Sequence, residues 1–412
     1  MKFCETTLPN GLEVVAECNP DAYSAAFGFF VKTGSRDESA EVWGVSHFLE
    51  HMVFKGTAKR SAADVNRELD EIGSKSNAYT SEEQTVYYAS VLPEYQDRVV
   101  ELLADMMRPA LRQDDFDVEK QVILKEINKY DHQPPFGAHE RVMLSHYGTH
   151  PLARSVLGTL ESITALTAEQ MRGYFQQRYS PSNITLVAAG NIDFPKLVDD
   201  AKRYCGDWEK FATSRATPRA PAHCSFEVIQ KEIASQAYAV QLANSPAAED
   251  EDRFAARLLS TILGDDSGSR MFWELIDTGL AEYAAIGTYE YQGTGTYMTF
   301  LSCAPEDTAE NLQLILELFR EAEKAGVTAA ELKQAMNKIC AHVILQSERS
   351  SNRLFSVGSN WVQRREYRTV AQVVADYQKV TLANITAVLK KYPLTQATTV
   401  CVGPMSEVKQ PE

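Results

Sequence analysis

Several protein classes are excluded by what this chain lacks. Its seven cysteines (Cys4, Cys18, Cys205, Cys224, Cys303, Cys340 and Cys401) are scattered, odd in number and form no C-x-x-C pair, which speaks against a disulfide framework and for a reducing compartment. No apolar run is long enough to span a bilayer, and the opening residues MKFCETTLPNGLEVVAE lack the continuous apolar segment of a secretory signal. There is no basic excess: 41 Lys and Arg against 56 Asp and Glu leave a net charge of -15, which repels nucleic acid and anionic membrane surfaces. The glycine-rich stretch GTYEYQGTGTY lacks the strand-then-helix setting of a phosphate loop. The expectation is a cytoplasmic globular protein whose charged partners, if any, are neutral or basic.

What is present points to two halves. At 412 residues the chain exceeds one ordinary core. The runs LEVVAEC, YSAAFGFFVKTGS and SNAYTSEEQTVYYASVL read as strands, rich in β-branched and aromatic residues with turn signals between them. SAADVNRELDEIG, PEYQDRVVELLADMM and DDFDVEKQVILKEINKY carry apolar residues at three- and four-residue steps and read as helices. Residues 210–224, KFATSRATPRAPAHC, are rich in Ala, Pro and Ser and have no apolar period, so they read as a connector. Beyond it the order recurs: a strand, the helices RFAARLLSTILG and SRMFWELIDTG, strands in YAAIGTYEYQGTGTYMTFLSC, then long helices. This gives an α+β fold of two homologous domains, 1–209 and 225–412, each an antiparallel-rich sheet of about six strands packed by helices.

The chemistry concentrates in GVSHFLEHMVFKGT. On a helix, His47 and His51 lie one turn apart on one face and can aim at one point. Two neutral imidazoles suit zinc, which lowers the pKa of a bound water to about 7, and Glu50 is placed to act as general base on such a water. A bare H-x-x-E-H also fits a polar helix face. A catalytic zinc needs a third protein ligand, and DVEKQVILKEI offers Glu119 and Glu126, seven residues apart on one face, one to ligate and one to orient. RFAARLLSTILG, at the corresponding place in the second half, has no histidine, so the halves share a scaffold and not a role.

HFLEHMVFKGT and EKQVILKEI, in sequence and separation, resemble the inverted-zincin (H-x-x-E-H) metallopeptidases, the family of pitrilysin, insulin-degrading enzyme and the mitochondrial processing peptidase, and in length the short two-domain bacterial-type members. HPLARSVLGTLESITALTAEQMRGYF and RYSPSNITLVAAGNID also resemble the family. The resemblance implies His47, His51 and Glu126 as ligands of one zinc ion, Glu50 as general base, and Glu119 as the catalytic-site carboxylate that orients a ligand histidine. It further implies Asn77 and Ala78, in SNAYTS, as holders of substrate backbone on an edge strand, and Phe54 as the lining of an apolar pocket. The family's second half carries an Arg and a Tyr, seven apart around a Gly-Leu, that grip the substrate carbonyl. Here Gly279 and Leu280 are present, but Ile or Ala and Glu282 fall at the expected positions, with Tyr283 one residue late and Arg270 earlier. Either Tyr283 shifts into place or another chain supplies the pair. Because four such domains close the family's chamber, two domains imply a homodimer or a heterodimer with a motif-lacking partner.

The expected function is therefore a zinc-dependent endopeptidase acting on peptides or unfolded polypeptide. Two alternatives stand: a scaffold or peptide-binding subunit without turnover, and a structural zinc protein. His132, His139, His146 and His150 repeat along one stretch, but Pro134 and Pro135 interrupt any helix there, and they read as surface or capping residues.

Overall fold

A computed structural model describes residues 1–412. The strand-forming runs become β1 (Lys2–Thr7), β2 (Glu13–Cys18), β3 (Ala25–Val31), β4 (Lys75–Thr80), β5 (Thr85–Val91) and β6 (Ile184–Gly190), then β7 (Ser225–Gln230), β8 (Ala237–Ser245), β9 (Tyr283–Tyr291), β10 (Thr294–Cys303) and β11 (Ala397–Gly403). They form a six-stranded sheet in the order β1-β2-β6-β3-β5-β4 and a five-stranded sheet in the order β7-β11-β8-β10-β9. Within each sheet all pairs are antiparallel except one, β2 with β6 and β7 with β11. Those two parallel pairs occupy matching places, so the five strands of the second sheet repeat β2-β6-β3-β5-β4 of the first. This duplication is the one expected from the recurring order of elements.

Both faces of the first sheet are covered, which explains why all seven residues of β3 are buried. Ala25, Phe27, Phe29 and Val31 point into one apolar cluster with Val45, Phe48, Leu49 and Met52. Ala26 and Phe30 point to the other, with Leu354, Val357 and Val362. Period-2 alternation along a strand with helices on both sides requires this. Gly358 lets the backbone of the helix Ser350–Arg364 come down on Phe30, since a Cβ there would lie 2.4 Å from that ring.

The chain divides into two units that are not consecutive in sequence. The first comprises Met1–Asn128, Arg154–Arg215 and Leu345–Arg368; the second comprises Lys129–Ala153, Ala216–Ile344 and Thr369–Glu412. A single connector at 210–224 does not describe this exchange. The helix Ser350–Arg364 closes one face of the first sheet, and the helix Ala138–Tyr147 closes one face of the second through Ala138, Val142 and Met143 against Val240, Leu242 and Val400. Each sheet thus borrows a helix from the far side of the linear boundary to cover apolar residues that its nearer helices leave bare.

Two local expectations are corrected. SRMFWELIDTG makes only a short helix, 270–276, and not a regular one: its Phe272–Ile276 part is a π-type turn closed by Asp277 N donating to Phe272 O. His146 is neither a surface nor a capping residue, being 4% exposed. Its Nδ1 lies 3.1 Å from Thr398 Oγ1 and its Nε2 lies 2.9 Å from Asn244 Oδ1. Burial holds it down at about 4. No helix is long and apolar enough to cross a membrane.

Candidate metal centre

The H-x-x-E-H residues lie on the helix Val45–Val53, whose start is dictated by two neighbours. Gly44 precedes it with φ +91°, and a Cβ there would meet Gly158 Cα and Leu157 O at 2.8 Å. Only glycine tolerates that backbone and that approach. The Glu38 carboxylate then accepts from Gly44 N at 2.7 Å and Ser46 N at 2.8 Å, satisfying amides that a helix start leaves unpaired. Burial pushes Glu38 up to about 8, against the pull of those amides and of Arg154. Ser46 Oγ bonds to Tyr174 Oη at 2.7 Å. Val45, Phe48, Leu49 and Met52 are fully buried at helical spacing, so His47, Glu50 and His51 share the opposite face.

The facing side chains come from the helix Gln113–His132. Phe116, Ile123 and Ile127 anchor it in the same core. Phe116 stacks on Phe48 with ring centroids 4.6 Å apart, which fixes the register between the two helices. As a result Glu126 Oε2 lies 4.0 Å from His47 Nε2 and 3.8 Å from His51 Nε2. One donor atom from each of His47, His51 and Glu126 falls within 4.8 Å of the others. Glu119 Oε1 sits 2.8 Å from His51 Nδ1 and its Oε2 2.5 Å from Lys55 Nζ. With Nδ1–H donated to Glu119, the lone pair of His51 is left on Nε2, toward Glu126.

The electrostatics agree with a cation site. Burial, with the neighbouring His51, holds His47 down at about 4, so it is neutral near pH 7. Burial also pulls on His51, but the bond to Glu119 and the charges of Glu126, Glu119 and Glu50 outweigh it and raise the group. Glu119 is held below the usual carboxylate range, because hydrogen bonds from His51 and Lys55 overcome its desolvation. Glu50 is raised by burial, opposed by the hydroxyl of Thr80.

These residues fit a zinc ion. Glu126 Oε2 lies 3.8–4.0 Å from the two Nε2 atoms, beyond hydrogen-bond reach and near the separation of about 3.3 Å that zinc ligands at about 2.0–2.1 Å impose on one another in a tetrahedron, and all three donor atoms fall within 4.8 Å of one another. Nothing in the protein bridges them. His47, His51 and Glu126 would hold the ion, Glu119 would orient His51, and no cysteine belongs to the cluster.

The remaining expected residues are placed as follows. Asn77 and Ala78 lie on β4, which pairs only with β5 and so leaves one edge of the sheet open; Asn77 is exposed and Ala78 buried. Asn77 Oδ1 accepts from the amide of Ala78 at 2.9 Å. Phe54 caps the motif helix and packs half-buried against its core. Tyr283 belongs to the second unit, where it opens the outermost strand β9 and is 49% exposed. Arg270, in the same unit, is held by Glu331 at 2.7 Å and by the carbonyl of Gly326, a structural contact. The helix Arg253–Gly264 follows β8 as the motif helix follows β3, and it carries no histidine. Residue-by-residue reading missed Lys55 and Thr80. Lys55 is one turn beyond His51, a spacing that gives a weak signal; Thr80 is far from Glu50 in sequence and gives none.

Fold and site together define a class: a duplicated α+β protein whose first unit carries an inverted-zincin cluster of two histidines and a glutamate. Residues 13–160 match the family model described as Insulinase (Peptidase family M16), and residues 165–339 match the one described as Peptidase M16 inactive domain. The chain is 30% identical to a protein of Mycobacterium leprae named an uncharacterized zinc protease, over 98% of this chain and 93% of that one. It is 27% identical to a Bacillus subtilis protein with the same description, over 93% and 94%. A protease from Helicobacter pylori superposes with a TM-score of 0.91 at 25% identity, covering 98% of this chain and 99% of that one. The chain belongs to peptidase family M16.

Proposed function

We propose that this chain is a zinc-dependent endopeptidase that hydrolyses peptides or small unfolded polypeptides inside a chamber completed by a second chain, in the cytoplasm. The observation that carries the reading is the convergence of His47, His51 and Glu126 donor atoms within 4.8 Å of one another, with Glu50 on the same helical face. Zinc, when bound there, polarises the scissile carbonyl and acidifies the attacking water. Glu50 takes the proton from that water and delivers it to the leaving amine, a double duty served by a carboxylate raised by burial. Glu119 keeps His51 in the tautomer that presents Nε2. The open edge of β4 takes the substrate as an added strand through backbone hydrogen bonds, with Asn77 and Ala78 at its centre and Phe54 toward a side chain. Tyr283 would contribute to the carbonyl grip.

A second reading, a peptide-binding subunit without turnover of its own, draws support from Arg270 being committed to Glu331. One experiment separates the two. The purified chain, and the chain mixed with candidate partner chains, is assayed on a quenched peptide with and without chelator, beside Glu50→Gln. The proposal expects Glu50→Gln to retain zinc and lose turnover by at least about 100-fold, and the active species to weigh about twice the 46.0 kDa chain. Full activity in Glu50→Gln would remove the assignment.

A further inference from the structure

The two carboxylate oxygens of Glu50 are used differently. Oε2 accepts a 2.6 Å hydrogen bond from Thr80 Oγ1, and Thr80 is the one side chain that donates to this carboxylate. Thr80 Oγ1 also lies 3.5 Å from Thr85 Oγ1, while the Thr85 hydroxyl donates to the carbonyl of Thr33 at 3.0 Å. A hydroxyl has one proton, and the short contact to a carboxylate takes it. Thr80 is the last residue of β4, in register with Thr85 of β5. Its backbone is therefore held by the sheet, and its β-branched side chain has little rotational freedom.

We propose that Thr80 is a positioning residue for the general base. Its hydroxyl occupies Oε2 of Glu50 and leaves Oε1 as the oxygen that exchanges protons. This rests on the peptidase reading given above. A glutamate has three rotatable bonds, and without the hydroxyl its carboxylate samples orientations in which proton transfer is slow. The hydroxyl gives up no proton in the reaction; it only directs the carboxylate.

The test compares Thr80→Val, which keeps the shape and loses the hydroxyl, with Thr80→Ser, which keeps the hydroxyl. Zinc content, KM and kcat on a quenched peptide, and the crystal structure of each metal-free variant are measured. Thr80→Val is expected to lower kcat by about 10- to 100-fold, the loss of one hydrogen bond to a charged group. KM and zinc content stay unchanged, and the Glu50 side chain takes a new or divided rotamer. Thr80→Ser stays near the parent. Wild-type kcat in Thr80→Val would show that the hydroxyl does not matter, an equal loss in Thr80→Ser would assign the effect to packing, and a loss carried by zinc content or KM would assign it to metal or substrate binding; each would overturn the proposal. A parent chain that binds zinc and cleaves nothing, alone or mixed with candidate partner chains, would refute the peptidase reading itself; the Glu50 rotamer in metal-free Thr80→Val still decides the positioning claim.

Discussion

Replacing Glu119 by alanine should weaken zinc binding without unfolding the metal-free chain. Glu119 is 4% exposed and accepts from His51 Nδ1 at 2.8 Å and from Lys55 Nζ at 2.5 Å. A hydrogen bond from an imidazole to an ionised carboxylate contributes about 1.5–3 kcal/mol. When it is lost, His51 no longer has a fixed tautomer, and zinc must itself supply the free energy that selects Nε2 as the ligand atom. At about 1.4 kcal/mol per tenfold, the dissociation constant should rise about 10- to 100-fold. In the metal-free fold the His51 bond is lost as well, at a similar cost of about 1.5–3 kcal/mol, while the Lys55 pair adds about 1 kcal/mol or less, because the Lys55 side chain is 34% exposed and finds water. The assay is competition for zinc against a chelating indicator, run beside urea unfolding of the metal-free protein. Glu119→Gln, which keeps an acceptor oxygen, should fall between parent and alanine. Unchanged zinc affinity in Glu119→Ala would refute the orienting role, and collapse of its metal-free fold would assign Glu119 to structure.

Acid should destabilise the chain partly through His146. Burial holds its folded-state pKa at about 4, against about 6.5 when unfolded. Above pH 6.5 both states are neutral and the contribution is complete. As pH falls, the unfolded chain takes the proton first, and stability drops by about 1.4 kcal/mol per unit until roughly 3 kcal/mol is lost near pH 4. Urea midpoints across this range should fall less steeply in His146→Gln than in the parent, and equal slopes would contradict the account. Gly44→Ala should cost at least about 2 kcal/mol, because an L-residue is strained at φ +91° and the new Cβ meets backbone at 2.8 Å. Its urea stability in the metal-free state should fall together with zinc affinity, since the residue 44 amide donates to Glu38 at the start of the metal helix; parental values of both would refute this.

The parts of the site that were legible in the sequence are those set by local periodicity. His47, Glu50 and His51 share a face because Val45, Phe48, Leu49 and Met52 need the other, and Glu119 and Glu126 share one because Phe116, Ile123 and Ile127 do. That these two faces meet depended on the resemblance; physically it is the work of Phe48 stacked on Phe116, a contact between residues far apart in sequence. The helices 138–147 and 350–364 each bury a face, and neither was read from the sequence. Even an apolar period does not say against which sheet a helix packs, and the exchange of these helices between units was invisible for that reason. His146 was misread because the prolines before it signalled only the break of a helix, while its burial depends on Asn244 and Thr398 from strands far along the chain. The bond from Thr80 to Glu50 is likewise a product of β4 lying beside the motif helix.

The account stands on three donor atoms meeting at one ion, and anomalous diffraction at the zinc edge from zinc-loaded crystals tests that most directly. It predicts one peak per chain, at about 2.0–2.2 Å from Nε2 of His47, Nε2 of His51 and a carboxylate oxygen of Glu126. A peak elsewhere in the chain, or no peak at these residues in protein with bound zinc, would contradict it.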